Sequence, residues 1–230
     1  MNSPVTCPVC GGVSFTQNKV LWDELISDWG LSSKEVEYID KQQGLSCDGC
    51  SNNLRSMVLA KAILSHLGSK DLLKSAARRF KYRNVRILEI NQAGSLSPFL
   101  SKFKGHTLIN YPEGDMMNMG YVEGTWDLVV HSETLEHVSD PLKGLKETCR
   151  ILRKGGACIF TIPIITGRMT RSREGLKESF HGDPKGSSAD YRVVTEFGAD
   201  AWTFVVSAGF ESCTIHAMDY PAGIALLAIK

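Results

Sequence analysis

Apolar positions change their period several times along the chain, and the clearest pattern lies in its middle. Leu128-Val129-Val130 is a short continuous apolar run, which suits a strand buried on both faces. Ser139-Asp140-Pro141 offers cap residues followed by a proline for a first helical turn. Leu142, Leu145, Cys149 and Leu152 recur at helical spacing. Arg150, Arg153 and Lys154 fall where cations favour the helix dipole, and Gly155-Gly156 reads as the helix stop. Ala157 to Ile162 is a second apolar run, closed by Pro163. Strand, helix, stop and strand predict one right-handed βαβ unit of a parallel sheet, whose ligands bind beyond the carboxyl ends of the strands. His131 to His137 and the residues after Pro163 therefore fall on a predicted binding edge.

The same reasoning fills in the rest. Val85 to Ile90 and His106 to Tyr111 read as strands, with Ser95 or Ser97 capping a helix through Phe103. Phe210 to Ala217 and Gly223 to Ile229 read as a closing antiparallel pair, and Thr195 as the cap of a helix through Ser207. Nearer the start, Leu21, Trp22, Leu25, Ile26 and Trp29 share one helical face, and Ser32 or Ser33 opens a further helix. Helices are expected over Leu54 to Leu67, stopped by Gly68, and from Asp71 to about Phe80. Arg78, Arg79, Lys81, Arg83 and Arg86 read as a solvated basic face. From Pro163 to Thr195 periodicity is lost while Arg168, Arg171, Arg173, Lys177, His181 and Lys185 accumulate, the mark of a lid or substrate loop.

Two cysteine pairs change the picture at the start. Cys7-Pro8-Val9-Cys10 and Cys47-Asp48-Gly49-Cys50 each place two thiolates on a tight turn, and together they supply the four sulfurs of a closed structural zinc site. Rubredoxin-like iron could use the same knuckles, and a redox dithiol is disfavoured because two pairs are present; zinc is the expected metal. The long spacing between pairs predicts an insert with its own helices. Cys149, Cys158 and Cys213 sit in apolar patterns and read as core thiols. Net charge is +1, with 26 basic and 25 acidic residues, which weighs against a large polyanion-binding surface. The hydrophobic share of 43% supports a full core. No apolar run reaches membrane-spanning length and no signal peptide is visible, so a cytoplasmic protein is expected.

The wording of the middle stretch is more specific than its periodicity. Asp127-Leu128-Val129, Leu135-Glu136-His137-Val138, Asp140-Pro141 and Leu152-Arg153-Lys154-Gly155-Gly156 resemble, in order and spacing, class I S-adenosylmethionine-dependent methyltransferases of the type 11 kind, over about Val85 to Lys230. The resemblance implies an α/β fold: a Rossmann-like, doubly wound, seven-stranded sheet, its edge trimmed where the usual helix and third strand are compressed. It also implies a cofactor, S-adenosylmethionine, and residues to hold it. The family's E/D-x-G-x-G-x-G loop falls on Glu89 to Ser95, where Asn91, Ala93 and Ser95 replace the glycines and Gly94 lies one place off. Asn is the residue best able to take over a positive φ. Asn110 falls at the ribose position, Asp115 at the adenine amino group, Met116 over the ring, and His131 at the end of the next strand.

On the acceptor side, Glu133, Glu136 and His137 have the spacing E-x-x-E-H, which resembles the metal-binding run of ubiquinone-pathway O-methyltransferases and small-RNA 2′-O-methyltransferases. In a helix these residues would share one face, and His181 would be a further ligand. His137 or His181 as proton acceptor, and a purely structural role, are the other readings. The run Cys47-x-x-Cys50-Ser51-x-x-Leu54-Arg55 resembles a zinc knuckle and helix that precede some bacterial methyltransferase domains, with Arg55 reaching a substrate anion or forming an interface ion pair. Three functions follow. The first is O- or N-methylation of a small-molecule or saccharide acceptor; the second, a noncatalytic scaffold that has kept the fold; the third, an RNA methyltransferase gripping RNA by its zinc module, which the near-zero charge does not favour. The expected organisation is a zinc-binding module with helical insert at 1–53, a helical bridge at 54–83 and the methyltransferase domain at 84–230.

Overall fold

A computed structural model describes residues 6–180 and 189–230. Two short strands, β1 (Phe15–Gln17) and β2 (Leu45–Cys47), pair antiparallel and bring the two cysteine turns together. Between them lie helices α1 (Asp23–Asp28) and α2 (Ser33–Gly44). Ser32 caps α2, exchanging hydrogen bonds with Glu35 in a capping box. Helix α3 (Leu54–His66) starts at Asn53, whose side chain accepts from the Ser56 N–H. Leu54, Met57, Leu59 and Ile63 are fully buried, and α3 packs on the main sheet.

The helix expected from Asp71 to Phe80 is only α4 (Leu73–Ala76), followed by a 3-10 turn at Phe80–Tyr82. The Leu73 and Lys74 N–H groups donate to the carbonyls of Pro8 and Val9. Docking on the first cysteine turn, rather than helix propensity, shapes this segment.

The sheet contains β3 (Arg86–Ile90), β4 (Gly105–Ile109), β5 (Trp126–Ser132) and β6 (Leu152–Thr161), with a short helix α5 (Ser97–Leu100) after β3 and α6 (Pro141–Ile151) before β6. Beyond it lie β7 (Ile164–Ile165), β8 (Arg171–Ser172), β9 (Thr195–Gly198) and α7 (Trp202–Ser207), then β10 (Ser212–Met218) and β11 (Gly223–Ile229). Among the described residues the main sheet has six strands in the order β10-β11-β6-β5-β3-β4. β4, β3, β5 and β6 run parallel, and β11 and β10 close the sheet antiparallel. This is a Rossmann-like, mostly parallel sheet, one strand short of the expected seven among the described residues, with its edge trimmed at β4. Leu128, Val129 and Val130 are fully buried between helical layers, as their unbroken apolar run requires.

Two further expected elements differ. α6 ends at Ile151, and β6 already begins at Leu152, so Gly155-Gly156 lies inside the strand rather than stopping the helix. Gly155 has φ +72 there, and the pairing with β5 slips between Trp126 and Leu128, which marks a bulge. Thr195 caps no helix. It opens β9, which pairs parallel with β7 and antiparallel with β8. A β-branched residue and a fully interior Phe197 make Thr195-Glu196-Phe197-Gly198 a better strand than helix start. Ile63 joins α3 to the sheet core, so Ile63→Ala should destabilise the protein by about 2–5 kcal/mol, read as a lower midpoint in urea denaturation.

Candidate functional site

The turn after β3 keeps its shape without the patterned glycines. Asn91 takes φ +54 and Gly94 φ +55, so two left-handed residues make the turn. The Asn91 N–H donates to the Ile109 carbonyl at 2.8 Å, and its Oδ1 accepts from the Tyr111 N–H at 3.0 Å, tying the turn to the end of β4. Glu89 lies beneath with no exposed surface. Its carboxylate accepts from the Ala93 N–H (2.8 Å) and Ser97 Oγ (3.1 Å) and bonds His106 Nε2 at 2.6 Å. Glu89 and the fully buried Ala93 therefore shape the loop from below, and Gly94 forms its rim.

The other expected cofactor residues cluster around the same strand ends. Asn110 is exposed just past β4. Asp115 accepts from the Met117 N–H at 2.9 Å, and Met116 is buried in the core beneath α6. His131 ends its strand fully buried, its ring stacked on Phe160 with centroids 4.6 Å apart. Burial pushes its pKa down to about 3, against the opposing pull of Glu136, so the ring is neutral at physiological pH. Neither ring nitrogen has a hydrogen-bond partner.

The acceptor edge departs from the helical expectation. Glu133 has φ +51, and Leu135–His137 is a 3-10 turn, so Glu133, Glu136 and His137 do not line one helical face. Among the described residues the only group of three or more metal-ligating side chains whose ligand atoms lie within 4.8 Å of one another is Cys7, Cys10, Cys47 and Cys50. Glu133 instead turns toward the N-terminal insert, accepting from Gln43 Nε2 at 3.1 Å and lying 3.3 Å from Arg55 Nη1. Glu136 is almost completely buried, with Oε1 3.6 Å from His137 Nε2. His137 Nδ1 is 3.0 Å from the Arg192 carbonyl, which assigns the ring proton to Nδ1. His181 lies outside the described residues.

The four cysteines meet crosswise, Cys7 Sγ 3.7 Å from Cys50 Sγ and Cys10 Sγ 3.5 Å from Cys47 Sγ. Burial pushes the Cys7 thiol up, so all four sulfurs would be thiolates together only with a cation among them. A Cβ on Gly12 would stand 2.8 Å from Cys47 Sγ, which is why the first pair is followed by glycine.

Contacts not read from the sequence tie the insert to the acceptor edge. Arg168 grips both Glu35 oxygens at 2.9 Å and donates to the Trp29 and Gly30 carbonyls at 2.7 Å. Arg168 holds the Glu35 carboxyl down to about 2, so this clamp's contribution is present above the ordinary carboxylate range and is lost as pH falls toward that value. Trp29 Nε1 donates to Ser179 Oγ, and Lys177 pairs with Asp28. Glu35, Ile39 and Gln43 recur every four residues along α2, and that spacing was the available signal.

The family model described as "Methyltransferase domain" matches residues 67–160, about two-fifths of the chain. Norajmaline N-methyltransferase of Rauvolfia serpentina is 35% identical over 69 residues, which cover 30% of this chain and 23% of that protein. The chain thus spans less than a quarter of the relative it matches. Among solved structures, an S-adenosylmethionine-dependent methyltransferase from Thermotoga maritima aligns with a TM-score of 0.41 at 19% identity, covering 75% of this chain and 91% of that one. The CurJ carbon methyltransferase aligns at 0.43 and 13% identity, covering 90% and 69%. Asn91→Gly should leave the turn intact, whereas Asn91→Val should cost about 1–3 kcal/mol through its strained positive φ, a contrast measurable by thermal melting.

Proposed function

We propose, on the premise that residues 67–160 form a methyltransferase domain, that the protein is an S-adenosylmethionine-dependent methyltransferase acting on a hydroxyl or amine of a small-molecule or saccharide acceptor. One observation carries the reading: the turn over Glu89 is built and sealed in the absence of the patterned glycines, with Asn91 and Gly94 both left-handed. An exposed Gly94 without a side chain, with Arg55 Nη2 beside it, fits a ligand lying across this edge. The cofactor, when bound, supplies an electrophilic methyl group.

The chain's own residues then have to align the acceptor and take its proton. His137 suits that step. With its proton on Nδ1 and shared with the Arg192 carbonyl, Nε2 is the accepting atom, and a proton taken there lands beside the Glu136 carboxylate. His181 keeps the same candidate role from sequence alone. The divalent-ion reading of Glu133, Glu136 and His137 finds no support in the non-helical geometry. The division into module (1–53), bridge (54–83) and catalytic domain (84–230) goes with this reading. So does a cytoplasmic location, which all seven cysteines being free of disulfides favours. No helix among the described residues is long and apolar enough to cross a membrane.

Calorimetry tests the reading. The full chain should bind S-adenosylmethionine and S-adenosylhomocysteine, and Asp115→Ala should weaken both by about 1–3 kcal/mol through loss of the adenine partner. No heat at millimolar ligand would favour the scaffold, and retention on RNA at physiological salt would favour the RNA enzyme.

The four-cysteine cluster is proposed to hold one structural zinc ion, because its sulfurs lie within 4.8 Å of one another and leave no position for chemistry. Elemental analysis should find one zinc per chain. Cys47→Ser should lose the metal and lower the melting temperature; full metal content in that variant would count against the site.

A further inference from the structure

The second cysteine pair and the cofactor turn meet at a buried junction. Asn52 has no exposed surface. Its Nδ2 donates to Cys50 Sγ at 3.5 Å and to the Cys50 carbonyl at 3.3 Å, while its Oδ1 accepts from Ser95 Oγ at 3.3 Å. One side chain thus ties a cysteine ligand to the loop beside Gly94. Next to it, Arg55 occupies the first turn of α3 with a side chain only 15% exposed.

The two edges of the Arg55 guanidinium differ. Nη1 donates to Gln43 Oε1 at 2.7 Å and lies 3.3 Å from Glu133 Oε2, so this edge is engaged. Nε is buried with no hydrogen-bond partner. Nη2 lies 3.8 Å from the place where a Cβ on Gly94 would stand. A buried, charged donor left unpaired is costly. The Nε–Nη2 edge is also one that grips a carboxylate side-on with two parallel hydrogen bonds. Gly94, exposed and without a side chain, leaves the Nη2 end of that edge facing the loop.

We propose that Arg55 receives the carboxylate at the amino-acid end of S-adenosylmethionine, so that the helix following the second cysteine turn completes the cofactor site. The assignment rests on the methyltransferase reading above. Glu133 on the opposite edge keeps the guanidinium oriented, and Asn52 fixes the distance between α3 and the loop. Arg55 precedes the matched segment 67–160, so the residue that holds the charged end of the cofactor comes from outside it. A lysine would supply the charge without the planar fork.

Two ligands separate this role from a structural one. S-adenosylhomocysteine carries the amino-acid carboxylate; 5′-methylthioadenosine has the same nucleoside thioether without it. Dissociation constants for both are measured by calorimetry on the full chain, with wild type, Arg55→Met and Arg55→Lys, and folding is checked by melting. Arg55→Met should weaken S-adenosylhomocysteine by about tenfold or more and shift 5′-methylthioadenosine by less than about twofold. Equal weakening of the two ligands, or no weakening of either, overturns the assignment while leaving the methyltransferase reading in place. Wild type that binds neither ligand overturns both. Should Arg55→Met fail to fold, Arg55→Lys carries the test: it must lose affinity for the carboxylate-bearing ligand selectively, and a uniform loss or none is again decisive against the proposal.

Discussion

A carboxylate with no exposed surface sits under the turn at the end of β3, and the cofactor edge depends on how it is satisfied. Glu89 takes hydrogen bonds from a backbone N–H, a serine hydroxyl and a histidine ring. A buried carboxylate without such partners would cost several kcal/mol, so the three groups are fixed by the charge they surround. That fixing explains how the loop dispenses with most of its glycines. The backbone needs a positive φ at two places, and Asn91 and Gly94 supply it. Ala93 has φ −75, an ordinary value for an L-residue, and its methyl group is buried in the core. The positive φ values thus fall on residues that tolerate them, and the intervening residues need no glycine.

The acceptor side is organised by a different element. Helix α2 presents Glu35 to Arg168, Ile39 to the apolar seam around Pro163 and Ile164, and Gln43 to Glu133 and Arg55. One helical face therefore runs along the carboxyl edge of the sheet. The space left in that seam, about 30 Å³, is close to a single water's share, so the seam is packing rather than a binding cavity. The insert is anchored at both ends by cysteine turns and along its length by Arg168, Ser179 and Lys177. It forms a wall along the carboxyl edge of the sheet.

The sheet was legible because its strands are read from strictly local patterns. The Leu128–Val130 run, the Asp140-Pro141 cap and the alternation near the end of the chain each predict one element without help from the rest. The cysteine pairs were legible for the same reason, since C-x-x-C is a local geometry. What could not be read depends on contacts distant in sequence. Thr195 looks like a helix cap until β7 and β8 are beside it. Asp71 to Phe80 looks helical until Pro8 and Val9 claim two of its N–H groups. The E-x-x-E-H spacing suggests one face of a helix, but the left-handed Glu133 breaks that face and turns the first carboxylate toward Gln43 and Arg55. Gln43 carries no local signal beyond its spacing from Glu35 and Ile39.

The two attachments of the N-terminal region differ in kind, and that difference bears on how the site works. Toward the sheet, α3 is held by fully buried apolar side chains such as Leu59 and Ile63, so lifting it would expose core. Toward the acceptor edge, the insert is held by a buried apolar seam of Leu21, Leu25, Trp29, Ile165 and Val193 and by hydrogen bonds and ion pairs, of which Lys177–Asp28 is largely exposed. Exposed pairs contribute about 0–1 kcal/mol each, far less than a buried leucine or isoleucine. Local opening follows the weaker attachment. The exposed Lys177–Asp28 pair is therefore the first of these contacts to give, while the apolar seam holds α1, Gln43 holds α2 to Arg55, and α3 stays packed on the sheet.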